Sequence, residues 1–203
     1  MKKVASGTYK SFFDALVKAE NSAGKKIFTY NSYAERYTML RYVLNRSNVV
    51  KIYSFDLSLF TTGFKNKLIE EVKTDSTDIY KLFCREFINF FSKQDCSLEI
   101  LLDDEDIISV DMITEEIQDN FQAELSSGKI LIKKIRTDVN LVKGMNHFVV
   151  APDLNLVCFD QGNNKLQICS INDTNIVSSS KIVFDGLFDI SSLVQFESNT
   201  CDK

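Results

Sequence analysis

Apolar and polar positions along this chain follow two successive patterns. Thr8 to Ala19 reads as an amphipathic helix, with Phe12, Phe13, Leu16 and Val17 on or near one face. Asn21 to Lys26 breaks that pattern and reads as a linker. Lys26 to Tyr30 is a short strand. Ser32-Tyr33-Ala34-Glu35 follows as a capping box: the Ser32 hydroxyl accepts from the Glu35 amide, and the Glu35 carboxylate accepts from the Ser32 amide. Tyr33, Tyr37, Leu40 and Leu44 then recur at spacings of four, three and four, one stripe of a helix. Val49 to Phe55 is a strand apolar enough for burial on both faces. Helical patterns run through Phe64, Leu68, Ile69 and Val72, and more strongly from Thr77-Asp78 through Phe83, Phe87, Phe90 and Phe91. Ser97 to Leu102 is a third strand. Met112 to Leu125 has helical spacing up to the Ser126-Ser127-Gly128 stop, and Lys129 to Ile135 is a fourth strand. Helices between four strands predict a mostly parallel sheet covered on both faces.

The pattern then changes. His147 to Ala151, Leu156 to Asp160 and Lys165 to Ile171 are strands joined by the tight turns Pro152-Asp153-Leu154-Asn155 and Gln161-Gly162-Asn163-Asn164, an antiparallel meander. Asp173 is an N-cap for a last helix through Val177, Ile182, Val183, Leu187 and Phe188. The predicted fold class is therefore α/β: a mostly parallel mixed sheet flanked by helices, with a C-terminal antiparallel meander. The predicted organisation is an N-terminal helix and linker (1–24), one α/β domain (25–190) and a polar tail (191–203).

Composition narrows the function classes. The net charge of −4 is the wrong sign for a protein that coats nucleic acid, although a local basic patch is compatible with it. No apolar run is long enough for a signal peptide or a spanning helix, so a cytoplasmic protein without membrane contact is expected. The five cysteines are widely spaced, none forms a CxxC pair, and the single histidine, His147, completes no zinc cluster. Buried free thiols in a reducing compartment are expected. A catalytic pair of His147 with Cys158 or Cys169 is the competing reading. Neither cysteine sits at a strand-to-helix elbow, which weighs against it.

The order strand–helix–strand–helix–strand–helix–strand–meander–helix resembles one repeat of the phospholipase D-like superfamily, over about residues 25–190. The text that carries the likeness is Asn146-His147-Phe148-Val149-Val150-Ala151-Pro152-Asp153, the paired strand Leu156-Val157-Cys158-Phe159, and the Ile171-Asn172-Asp173 cap before a helix ending Phe184-Asp185-Gly186-Leu187-Phe188. The resemblance implies a strand carrying His, one residue, Lys, four residues, then Asp. The His would attack phosphorus and the Lys would neutralise phosphate oxygens, with two such motifs meeting at one site. In this chain His147 holds the first position, Val149 holds the Lys position, and Leu154 holds the Asp position, with Asp153 one residue early. A phosphodiester transition state is stabilised mainly by cations around its equatorial oxygens, so valine at the second position removes a direct contribution.

Three further groups are candidates for chemistry. Lys133, Lys134, Arg136, Lys143 and Lys165 are candidate phosphate- or nucleic-acid-binding residues. Lys143 and Lys165 are also candidates to replace the missing lysine beside His147. Strand alternation puts Lys129 and Lys133 on one face, Lys134 and Arg136 on the other. From Gln94 to Leu125 there are 11 carboxylates and no Lys or Arg. Asp56, Asp103 and Asp104 follow the second and third strands, where a parallel sheet binds ligands, and form a weak alternative Mg²⁺ set. A solvated acidic helix start explains the block more simply, so no metal and no cofactor is expected. The Phe83, Phe87, Phe90 and Phe91 face reads as core, with a part available to another subunit.

The expectation is a catalytically degenerate phospholipase D-like binding or regulatory module, leaning away from an enzyme. It would work as a homodimer or with a protein partner, by analogy beside nucleic-acid-processing or defence machinery. The alternative is a divergent phosphodiesterase or nuclease that uses His147 across a dimer.

Overall fold

A computed structural model describes residues 4–54, 62–72, 76–102, 120–135, 145–160 and 166–194. Helix α1 (Val4–Glu20) leads into β1 (Lys26–Tyr30), α2 (Tyr33–Arg46) and β2 (Val49–Ser54). Then come α3 (Thr62–Val72), α4 (Ser76–Phe91), β3 (Ser97–Leu102), a helical segment α5 (120–126) and β4 (Ile130–Lys134). The meander is β5 (Phe148–Ala151), a 3-10 turn (Pro152–Leu154), β6 (Leu156–Asp160) and β7 (Gln167–Ile171), followed by α6 (Thr174–Ile190) and β8 (Ser192–Leu193). The capping box forms as its residues dictate, with Ser32 accepting from the Glu35 amide at 3.1 Å and Glu35 accepting from the Ser32 amide at 3.3 Å.

Among the described residues the strands make one eight-stranded sheet in the order β1-β7-β6-β5-β2-β3-β4-β8. The α/β class, the flanking helices and the antiparallel meander agree with the sequence reading. The share of parallel pairing does not. Only β2–β3 and β3–β4 are parallel, and the other five pairs are antiparallel. The first strand is the reason. Lys26, Ile27 and Thr29 are exposed while Tyr30 is buried, so β1 has too little apolar surface to lie inside a doubly covered parallel sheet. It instead forms the edge of the meander, Lys26 opposite Ile171 and Tyr30 opposite Gln167. The linker side is pinned there: Lys25 pairs with Asp173 at 2.6 Å. β8 was not foreseen; its two residues close the other edge, Leu193 opposite Lys133.

Side-chain alternation gives the sheet two cores. On one face Ile52, Leu98, Ile100, Leu102, Ile130 and Ile132 meet α1 to α5, with Leu16, Tyr42, Leu44, Leu68, Phe87 and Phe90 almost wholly buried. On the other, Tyr53, Leu101, Val150 and Val157 meet Val177, Phe184 and Leu187 of α6. Phe87, Phe90, Phe91 and Phe121 form one aromatic cluster inside the chain. The side chain of Phe83 lies outside the described residues. The N-terminal Phe pair also packs within the chain: Phe12 against Phe28 and Tyr30, Phe13 against Tyr42. Asn172, in the left-handed region at φ 61°, donates its amide to the Ala19, Glu20 and Ser22 carbonyls and so ties the end of α1 to the meander.

Candidate functional site

The site is built around the start of β5. The His147 carbonyl accepts from the Asp160 amide at 2.8 Å, which places the two residues opposite each other in the β5–β6 ladder. Asp160 is opposite Gln167, and Gln167 is opposite Tyr30. The Gln167 side-chain amide donates to the Asp160 carboxylate at 3.5 Å, at the limit of a hydrogen bond. The half-buried His147 ring lies edge-on to Tyr53, with centroids 5.8 Å apart and planes at 85°. Tyr53 is the last residue but one of β2, so the imidazole stands near the carboxyl end of the parallel strands, where open α/β sheets bind ligands.

Val149 lies opposite Ile52 on one side and Cys158 on the other, and packs against the core shared with α2 and α4. This position holds a half-buried aliphatic side chain, where the resemblance implies an ammonium group. Leu154, at the implied Asp position, is buried. Asp153 has a structural task at the far end of β5. Its carboxylate accepts from the Ser47 hydroxyl and, at 2.6 Å, from the Asn48 amide, locking the turn between α2 and β2.

Three described lysines near the sheet are bound to helix ends. The Lys133 ammonium donates to the Phe188 carbonyl at 2.7 Å and lies 4.4 Å from the centre of the Phe188 ring. It completes the C-terminal end of α6, where a helix dipole favours a cation. Lys93 does the same for α2, donating to the Leu44 and Ser47 carbonyls, and Lys129 for α4 through the Phe91 carbonyl. Burial pulls the Lys93 ammonium below its ordinary value. Lys134 ends β4 opposite Leu102, three strands from β5, which is roughly 14 Å at ordinary strand spacing. Arg136, Lys143 and Lys165, and the acidic Asp56, Asp103 and Asp104, lie outside the described residues. Among the described residues no group of three or more metal-ligating side chains converges.

A charged network lies under α6 that the sequence reading missed. Lys51, 6% exposed, binds Glu99 directly opposite on β3 and Asp185 of α6 at 2.9 Å, and its ammonium is 5.2 Å from the Phe184 ring centre. Lys181 completes the set on Asp185 at 2.5 Å. Burial acts to lower the Lys51 value, but the hydrogen bonds from Glu99 and Asp185 outweigh it and hold the ammonium above its ordinary range. Burial likewise opposes ionisation of Asp185, and its two lysines overcome that and hold the carboxyl low. Two cations and two carboxylates balance, so Lys51 has no excess charge to offer a phosphate. The signal was present in the sequence: a lysine and a glutamate each stand third in a mostly apolar strand, Val49-Val50-Lys51 and Ser97-Leu98-Glu99, as its one charged residue.

No protein-family model matches the chain, and no curated protein matches it by sequence. Solved structures do resemble it. TrmBL2, an archaeal chromatin protein described with a novel mode of DNA binding, superposes with a TM-score of 0.51 at 8% identity, covering 93% of this chain and 62% of its own. The chain thus spans less than two thirds of that protein. Nuc from Salmonella typhimurium, a phospholipase D family member, gives 0.48 at 8% identity over 85% of this chain and 99% of its own. NucT from Helicobacter pylori gives 0.48 at 12% identity over 84% and 99%. The chain is a mixed-sheet α/β protein that shares its overall fold with the archaeal protein.

Proposed function

We propose that this chain is a catalytically degenerate phospholipase D-like module that binds and does not cleave, acting as a homodimer or with a protein partner beside nucleic-acid-processing machinery. The observation that carries the reading is Val149, packed between Ile52 and Cys158 where the resemblance requires a phosphate-binding cation. A phosphoryl transition state depends on preorganised positive charge, and an aliphatic group supplies none. Lys133 is turned to α6 and Lys51 is neutralised by its carboxylates, so neither makes up the loss. The outer face of α6 favours association: Ile182, Val183 and Ile190 are exposed around Gly186, and Leu193 of β8 is exposed too. The DNA-binding description of TrmBL2 favours nucleic acid near the assembly. The cationic residues for that contact would be Lys134, Arg136, Lys143 and Lys165.

The test is a generic phosphodiester assay, run with and without EDTA on the unaltered chain and on His147→Ala, together with vanadate binding. The expected result is no turnover that depends on His147, and a dimer or larger species in light scattering. Turnover abolished by His147→Ala, or vanadate gripped by His147 and a lysine, favours the divergent phosphodiesterase and ends the binding-module reading. A strict monomer across a wide concentration range removes self-association and leaves a protein partner to be captured.

A further inference from the structure

Cys158 and Cys169 are direct partners in the β6–β7 ladder. The Asn172 amide donates to the Asn155 carbonyl at 2.9 Å, one step beyond the Leu156–Ile171 pair. Hydrogen-bonded and non-hydrogen-bonded pairs alternate in an antiparallel ladder. Counting from Asn155–Asn172, Val157–Ser170 and Phe159–Ile168 are hydrogen-bonded, and Cys158–Cys169 is not. In such a pair the Cα atoms are about 4.5 Å apart and the side chains are at their closest. That separation falls within the roughly 4.4–6.8 Å that a disulfide spans. Tyr30 lies beside this pair: burial first, and then the Cys158 sulfur, pushes the Cys169 thiol up, and burial with both cysteines pushes the Tyr30 hydroxyl up. Both thiols are free, and both are buried, Cys169 completely and Cys158 at 6% exposure.

We propose that Cys158 and Cys169 are a redox-active dithiol that closes reversibly to a disulfide between β6 and β7. The reaction partner is a low-molecular-weight disulfide. The sulfur of Cys158, the less completely buried residue of the two, attacks one sulfur of the oxidant and releases its first thiol. The Cys169 sulfur then attacks the mixed disulfide at Cys158 and releases the second. Two cysteine protons end on the two released thiols; the dithiol loses two electrons, and the oxidant gains them. Burial pushes the Cys169 thiol up and so lowers its thiolate fraction, a handicap that proximity to the mixed disulfide offsets in the second, intramolecular step. The bridge would lie directly beside Val149 in the sheet.

The test is incubation of the native chain with oxidised glutathione, followed by intact mass and tryptic mapping. Cleavage after Lys143, Lys165 and Lys181 puts the two cysteines on separate peptides, 144–165 and 166–181. The expected result is a loss of two hydrogens, a single link between those peptides, and full reversal by dithiothreitol. In Cys169→Ser the glutathione adduct should persist on Cys158. Stable glutathione adducts without a link in the native chain, a link formed only in denaturant, or a bridge to Cys84, Cys96 or Cys201 would overturn the proposal. The wild-type linkage decides the matter even if the variant does not fold.

Discussion

Replacing Lys51 by methionine keeps the length and apolar stem of the side chain and removes only the ammonium. Glu99 then faces α6 without its cation, while Asp185 still has Lys181 at 2.5 Å. Removing one member of a fully buried ion pair costs about 3–5 kcal/mol, because the remaining charge is uncompensated. Glu99 retains 20% side-chain exposure and Asp185 33%, so water offsets part of that. The expected loss is therefore about 2–3 kcal/mol, which for a chain of this size lowers the melting temperature by roughly 4–12 °C. Urea denaturation of Lys51→Met, Glu99→Gln and the double variant measures this. The expected pattern is a positive coupling energy between Lys51 and Glu99. A cost for Lys51→Met within about 0.5 kcal/mol, the range of ordinary surface substitutions, would refute the view that this network holds α6 to the sheet. So would strictly additive costs in the double variant.

The other predictions address the ends of elements. Asp185 is held below its ordinary value by Lys181 and Lys51 against the effect of burial, so its contribution is complete above about pH 4 and is lost as pH falls through its lower folded value; Asp185→Asn should flatten that part of an acid-unfolding curve. Lys133→Met should cost about 1 kcal/mol in denaturant unfolding by uncapping α6. Asn172→Gly keeps the left-handed backbone but loses the bonds to Ala19, Glu20 and Ser22, so limited proteolysis should cut faster between α1 and β1. Asp153→Ala should cost about 2 kcal/mol, read by thermal denaturation, because the Asn48 amide and Ser47 hydroxyl lose a charged acceptor.

Much of this architecture is legible along the chain because helices and strands have their own short repeats. The capping box at Ser32, the Asp173 cap, β1, β3 and β6 stand where residue spacing puts them. The absence of a cation at position 149 is equally a property of the sequence, independent of any contact. Strand order is different in kind. Lys26 to Tyr30 reads as a strand either way, and its place at the edge of the meander depends on partners more than 130 residues later. The same holds for the ends of long side chains. Lys51, Lys93, Lys129 and Lys133 look alike as letters, yet one is buried among carboxylates and three cap helices, because an ammonium group binds whatever acceptor the fold brings to it. Spacing along the covalent chain determines which residues share a face. Only packing across the sheet decides what those faces and their charged tips touch, since those contacts join residues that the sequence keeps far apart.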